Sequence, residues 1–88
     1  MLERPPMTPD QLKLRLEKLA PETRAEVQDL TGTEDHYEAL IISPVFEGKL
    51  LVEQHMMVKK LLKDEIDSGE VHALSLKTYT PEQFKTRR

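Results

Sequence analysis

The feature that most constrains the fold is a long segment between two glycines. Residues 49–68 contain neither glycine nor proline, although the chain of 88 residues has 3 glycines and 6 prolines. The segment therefore predicts one main core helix, bent near His55, that ends at Gly69. The apolar stripe predicted to face the core consists of Leu51, His55, Val58, Leu62 and Ile66, widened by Leu50, Met57 and Leu61.

Two shorter segments carry the signature of a capped helix start. Thr8 and Thr80 are each followed by proline and, three residues after the threonine, by glutamine. A threonine and a glutamine at this spacing satisfy the first backbone N–H groups of a helix, and proline suits its first position. After Thr8, the residues Leu12, Leu16 and Leu19 share one face, so the first helix is predicted to bury that stripe.

Three segments favour strands. Residues 25–30 alternate weakly between apolar and polar, residues 37–43 are rich in strand-forming residues, and residues 71–78 alternate again. A short polar loop, residues 31–35, joins the first two strands, which we expect to pair antiparallel. The long helix returns the chain before the third strand, so that strand is predicted to run parallel to the second.

These elements predict one small α/β (α+β) domain. Their order is helix, strand, strand, helix, strand, helix, with a three-stranded mixed sheet, and 88 residues leave no room for a second core. We assign residues 8–86 to the domain, residues 1–7 to a flexible N-terminal segment and residues 87–88 to a tail.

The composition narrows the classes of function. The formal net charge is −3 and cysteine is absent, which excludes disulfides, thiolate nucleophiles and any metal site with thiolates from this chain. Walker, dinucleotide-binding, nucleophile-elbow and His-Glu-x-x-His motifs are also missing, so we expect a protein that is not an enzyme. The longest apolar run, residues 39–42, is too short for a signal peptide or membrane helix. A cytoplasmic location without membrane association is therefore expected.

Three histidines could ligate a metal. His36 lies between the polar loop and the second strand, where a surface role is favoured over a ligand role. His55 lies on the apolar stripe, which favours a mostly buried, satisfied side chain. His72 opens the third strand and fits either role. A zinc site built from all three is disfavoured, because a buried helical histidine cannot easily meet ligands on loops.

A cluster of lysines on the long helix is the one local argument for nucleic-acid binding: Lys49, Lys59, Lys60 and Lys63. Acidic residues 64, 65 and 67 follow at once and largely cancel the positive field. A solvated helix face is therefore favoured over a nucleic-acid surface.

Beyond these patterns, two segments and the pair His36-Tyr37 resemble the BolA family. The segments are SPVFEGKLLVEQH and VHALSLKTYTPEQF, which recur in register with the Phe-x-Gly-Lys turn and the histidine seven residues after Gly48. The resemblance implies a fold similar to a class II KH domain. It also implies a partner of monothiol glutaredoxins that shares a 2Fe–2S cluster in a heterodimer, for cluster trafficking or iron sensing.

The family's two ligand positions match His72, on the third strand, and His36, at the loop position that holds histidine or cysteine. A 2Fe–2S cluster needs four ligands, and this chain offers at most two well-placed imidazoles. The resemblance therefore implies that the glutaredoxin's cysteine and its glutathione complete the site. The free protein is expected to be a monomer or a weak homodimer.

An alternative function for such a chain is a DNA-binding transcriptional regulator that acts through the long helix. Many BolA-like proteins carry arginine before the helical histidine, whereas here Gln54 precedes His55. The loss of a cation that could contact phosphate weakens this alternative. His55 itself is predicted to be structural and to link the helix to the turn at Phe46 and Gly48.

Overall fold

The structure, a computed structural model, describes residues 7–30, 36–71 and 73–86. Its helices are α1 (Pro9–Leu16), α2 (Leu51–Leu61), α3 (Lys63–Asp67) and α4 (Pro81–Thr86), with a short 3-10 helix at Pro44–Phe46. Its strands are β1 (Arg24–Asp29), β2 (His36–Ile42) and β3 (Ala73–Tyr79). The predicted α+β order is confirmed, and the assigned domain boundaries stay a prediction.

The three strands form one sheet with β2 in the centre. β1 runs antiparallel to β2, with Ala25 opposite Ile41, and β3 runs parallel to β2, with His36 opposite Ala73. Both predicted pairings are thus confirmed. Because β2 and β3 are parallel, their first residues meet at the same edge of the sheet.

The core lies between one face of this sheet and the helices. Alternate residues of β2 point into it, since Tyr37, Ala39 and Ile41 are fully buried. The residues from other elements that pack in the same cluster are Leu12, Leu16, Ala25, Phe46, Val58, Leu62 and Val71. The stripe predicted for α1 is confirmed at Leu12 and Leu16.

Reciprocal caps start α1 and α4. Gln11 N donates to Thr8 Oγ1 at 3.1 Å, and Thr8 N donates to Gln11 Oε1 at 2.9 Å. The pair Thr80 and Gln83 repeats this arrangement with distances of 3.0 and 3.1 Å. Both capped starts follow the sequence prediction.

The single long helix predicted for residues 49–68 is wrong, because the helix is broken at Leu62. That residue has φ −96° and ψ 14°, and it separates α2 from α3. The Arg15 guanidinium donates to the Leu61 carbonyl at 2.9 Å, a carbonyl that a continuous helix would pair with the N–H four residues on. The bend therefore lies at Leu62, where α1 contacts the helix, and not near His55.

The buried face of α2 also differs from the prediction. Leu51, predicted to face the core, is 60% exposed, whereas Gln54 is 4% exposed. Val58 and Leu62 complete the buried face as expected, while Ile66 is exposed. The described residues include no helix long and apolar enough to cross a membrane.

Candidate functional site

His36 is the first residue of β2, and its side chain is exposed. Its carbonyl accepts a hydrogen bond from Leu30 N at 2.8 Å, which closes the end of the β1–β2 ladder. The exposed position predicted for His36 is confirmed. His72 lies outside the described residues, but the next residue in the chain, Ala73, is the register partner of His36.

The start of β2 is tied to the segment before β3 through the backbone of Met7. Tyr37, buried beside His36, donates from its hydroxyl to the Met7 carbonyl. Met7 N in turn donates to the Glu70 carbonyl at 3.3 Å. Met7 thus links the start of β2 to the segment before β3.

A second set of contacts holds the segment before β3 against α1. Arg15 Nε donates to Glu65 Oε2 at 2.6 Å, and the Glu65 side chain is only 14% exposed. Val71 N donates to the Glu65 carbonyl at 3.1 Å, and the Val71 side chain is buried in the core. The segment that ends at Val71 is therefore held by an ion pair on one side and by core packing on the other.

The described residues cannot complete a metal centre by themselves. No three side chains among His, Asp and Glu come together in residues 7–30, 36–71 and 73–86 to hold an ion. An exposed imidazole such as that of His36 matches the nitrogen donors found on one iron of Rieske-type 2Fe–2S centres. A cluster that took His36 as a ligand would need its other ligands from outside the described residues.

His55 is partly buried, and its Nε2 atom has no solvent exposure and no hydrogen-bond partner among the described residues. The link predicted for His55 is instead made by Gln54. Gln54 Nε2 donates to the Lys49 carbonyl at 2.9 Å and to the Phe46 carbonyl at 3.5 Å. Gln54 Oε1 accepts from Thr78 Oγ1 at 2.7 Å, so one amide joins α2, the preceding turn and β3.

The four lysines of the alternative prediction do come together. They lie around one groove of about 670 Å³, which we call the α2 groove. Its lining residues are Lys49, Glu53, Met56, Met57, Lys59, Lys60 and Lys63. Lys63 Nζ lies 2.6 Å from Asp67 Oδ2, and this hydrogen bond raises the pKa of the lysine.

The methionines of this groove were missed by the sequence argument. Met57 was predicted to widen the core stripe and Met56 received no role, yet Met56 is 63% exposed. The only signal in the sequence was a pair of methionines beside lysines, and helical spacing alone does not show on which side of α2 they lie.

Comparison with known proteins adds family information to this geometry. Residues 7–83 match the family model described as BolA-like protein. Protein BOLA2 from Arabidopsis thaliana is 37% identical over 81 residues, which are 90% of this chain and 85% of that protein. Among solved structures, a BolA homologue from Coxiella burnetii aligns with a TM-score of 0.77 and 32% identity, covering 90% of this chain and 97% of that one.

Two other similar proteins match over a smaller share of their length. A BolA-like protein of Dictyostelium discoideum is 43% identical over 54 residues, which are 61% of this chain and 47% of that protein. A Haemophilus influenzae protein named DNA-binding transcriptional regulator BolA is 34% identical over 56 residues, which are 64% of this chain and 53% of that protein. The matches span about half the length of these two relatives.

Proposed function

The chain belongs to the BolA-like protein family, and we propose that it is a non-enzymatic partner of a monothiol glutaredoxin. The two proteins share a 2Fe–2S cluster in a heterodimer that serves cluster trafficking or iron sensing. The observation that carries the proposal is the exposed His36 at the start of β2, in register with Ala73.

In this proposal the chain contributes imidazole ligands and the partner contributes the rest. His36 and His72 bind one side of the cluster, and the glutaredoxin's active-site cysteine and its glutathione bind the other side. The cluster would supply one-electron chemistry or be handed on as cargo. Absence of cysteine from this chain makes the partner's thiolates necessary, because four ligands are needed.

The contacts around His36 support a ligand role because a ligand must be held in place. Tyr37 anchors the start of β2 in the core, and its hydroxyl bonds the Met7 backbone. The Arg15 and Glu65 pair holds the segment that ends at Val71. In the proposal these contacts order the start of β2 and the segment up to Val71 before a partner binds, which lowers the ordering cost of association.

Reconstitution tests the proposal. We expect a monothiol glutaredoxin, glutathione, ferrous iron and sulfide to give a visible circular dichroism spectrum that changes when this protein is added, together with a one-to-one complex in size-exclusion chromatography. His72→Ala and His36→Ala should each remove the spectral change. His55→Ala is the matched control and should leave it, since His55 belongs to α2. An identical spectrum with and without the protein would refute the proposed function.

A second candidate is DNA binding, which the name of the Haemophilus influenzae relative suggests. The observation that favours it is the set of exposed lysines around the α2 groove, whereas the net charge of −3 opposes it. Affinity for duplex DNA, followed by fluorescence anisotropy, should then fall steeply with salt and be lost in the double variant Lys59→Glu, Lys60→Glu. An unchanged affinity in that variant would exclude this role. The cytoplasmic location stays a prediction.

A further inference from the structure

The α2 groove is a second surface that the proposed cluster site does not use. We propose that it binds an acidic segment of a partner protein that carries apolar anchor residues. The inference goes beyond the proposed function, because it needs neither His36 nor a metal.

The apolar character of the surface is the first observation. Met56 is 63% exposed, and Met57, the next residue, is half-buried. Val52, one turn before Met56 on the same side of α2, is 61% exposed. Met56 and Met57 line the groove itself, and methionine adapts its shape to varied apolar partners.

The charges around the groove are the second observation. Among the described residues, no carboxylate lies within 4.0 Å of the ammonium groups of Lys49, Lys59 or Lys60. Lys63 is paired with Asp67, and Glu53, the one acidic lining residue, accepts a hydrogen bond from Leu50 N at 2.8 Å. Three lysines without acidic partners therefore surround an apolar floor on a chain that is negative overall. Carboxylates on the ligand complement this charge.

A second, smaller hollow shares one lining residue with the groove. Lys59 also lines a smaller hollow of about 260 Å³, together with Ile66, Val71 and Leu74. A peptide in the α2 groove can therefore place one apolar anchor against the methionines and a further anchor in this hollow. Helix-in-groove and extended-peptide recognition both use such spaced anchors.

Helix stabilisation explains only part of this arrangement. Lys59 and Lys60 lie in the last turn of α2, where cations favour the carbonyl end of a helix. That role does not explain why Met56 is exposed. It also does not explain why Lys49 lies before the start of α2. A peptide partner accounts for both features.

The chemistry favours a peptide over DNA or a membrane. The lysines can contact phosphates, but the exposed methionines give a phosphate backbone neither a cation nor a hydrogen-bond donor. Anionic membranes attract basic proteins, whereas this chain has a net charge of −3. An open apolar surface among lysines instead suits apolar anchor side chains from a partner.

Fluorescence anisotropy on the metal-free protein tests the proposal. The probe is a labelled amphipathic peptide with glutamates on one face and leucines at helical spacing on the other. We expect saturable binding that weakens about tenfold in Met56→Glu and in Lys60→Glu. Matched controls lie on α1: Leu14→Glu, at a residue 62% exposed, and Lys18→Glu, also exposed, should keep the original affinity.

Changes to the probe separate the alternatives. Replacing every glutamate by lysine, or every leucine by serine, should abolish binding. The proposal is overturned if Leu14→Glu weakens binding as much as Met56→Glu does. It is also overturned if only duplex DNA or phosphatidylserine vesicles bind. Because Lys60→Glu and Met56→Glu alter exposed side chains, circular dichroism should show both variants folded, and either one alone decides the outcome.

Discussion

The two faces of α2 contrast sharply. Its inner face buries a glutamine, Gln54, beside Val58, whereas its outer face exposes Val52 and Met56. On the inner face each polar atom of the Gln54 amide is used, by two backbone carbonyls and the Thr78 hydroxyl. Among the described residues, Val52 and Met56 do not belong to the core cluster. Position against the sheet, and not polarity, therefore decides which side of α2 is buried.

This difference assigns the two faces different tasks. The inner face holds α2 against β3 and against the turn that precedes α2. Its residues therefore contribute to the free energy of unfolding. The outer face contributes little to that free energy, and the proposed peptide site would use it for binding. Substitutions in matched pairs, one buried and one exposed, can test this division.

The largest difference in stability is expected between substitutions of two leucines in the α2–α3 region. Leu62 is fully buried and Leu51 is 60% exposed. Leu62→Ala should lower the free energy of unfolding by about 3 kcal/mol, because it removes buried apolar surface and leaves a cavity. Leu51→Ala should change it by less than about 0.5 kcal/mol. Urea unfolding followed by circular dichroism measures both, and equal losses would break the comparison.

The buried amide comes next. Gln54→Ala should cost about 2 kcal/mol, because it leaves the Thr78 hydroxyl and the Lys49 carbonyl without their partner inside the protein. The outer control is Met56→Ala, which should leave the urea midpoint nearly unchanged. A Gln54→Ala protein as stable as the parent would show that the amide network does not hold α2 in place.

A smaller contrast is expected between two ion pairs near the helix break. Arg15 and Glu65 are partly buried, and the guanidinium also satisfies the Leu61 carbonyl. Arg15→Met should therefore cost about 2 kcal/mol, since it leaves a partly buried carboxylate and a carbonyl unpaired. Lys63→Met removes an exposed pair and should produce no measurable shift of the urea midpoint. The reverse order would contradict the role of Arg15 in satisfying Glu65 and the Leu61 carbonyl.

The smallest effect is expected in the pH dependence of stability, and it concerns Glu17, the residue that follows α1. Lys13 Nζ and Ala25 N both donate to Glu17 Oε2, at 2.7 and 3.1 Å, and these hydrogen bonds lower the pKa of Glu17. Because the pKa of Glu17 is lower in the folded state, the carboxylate stabilises the protein at pH values above the ordinary glutamate pKa. This stabilisation is lost as the pH falls through the folded-state pKa. Glu17→Gln should therefore flatten the acid side of the stability profile. A profile with an unchanged slope would show that the pair contributes nothing.

Local signals in the sequence were enough for most of the fold. The caps at Thr8 and Thr80 depend on residues three positions away, and the strand pairings follow from a short loop and a long return helix. The break at Leu62 could not be predicted in this way. It depends on Arg15, which lies 46 residues before the carbonyl that it bonds.

The rotation of α2 has the same kind of cause. Helical spacing shows which residues share a face, but the burial of Gln54 depends on Thr78, 24 residues away. For the site, the exposure of His36 followed from its place beside a polar loop, and its ligand role stays a prediction. His72 lies outside the described residues, so its role rests on the motif alone.

The central claim is that this chain supplies two imidazole ligands to a cluster that a glutaredoxin completes. Pulsed electron paramagnetic resonance of the reduced complex tests it directly, with 15N-labelled histidine in this chain and an unlabelled glutaredoxin. We expect two strong 15N couplings to the cluster, one lost in His36→Ala and the other in His72→Ala. A spectrum without 15N coupling, or one that neither substitution changes, would contradict the account.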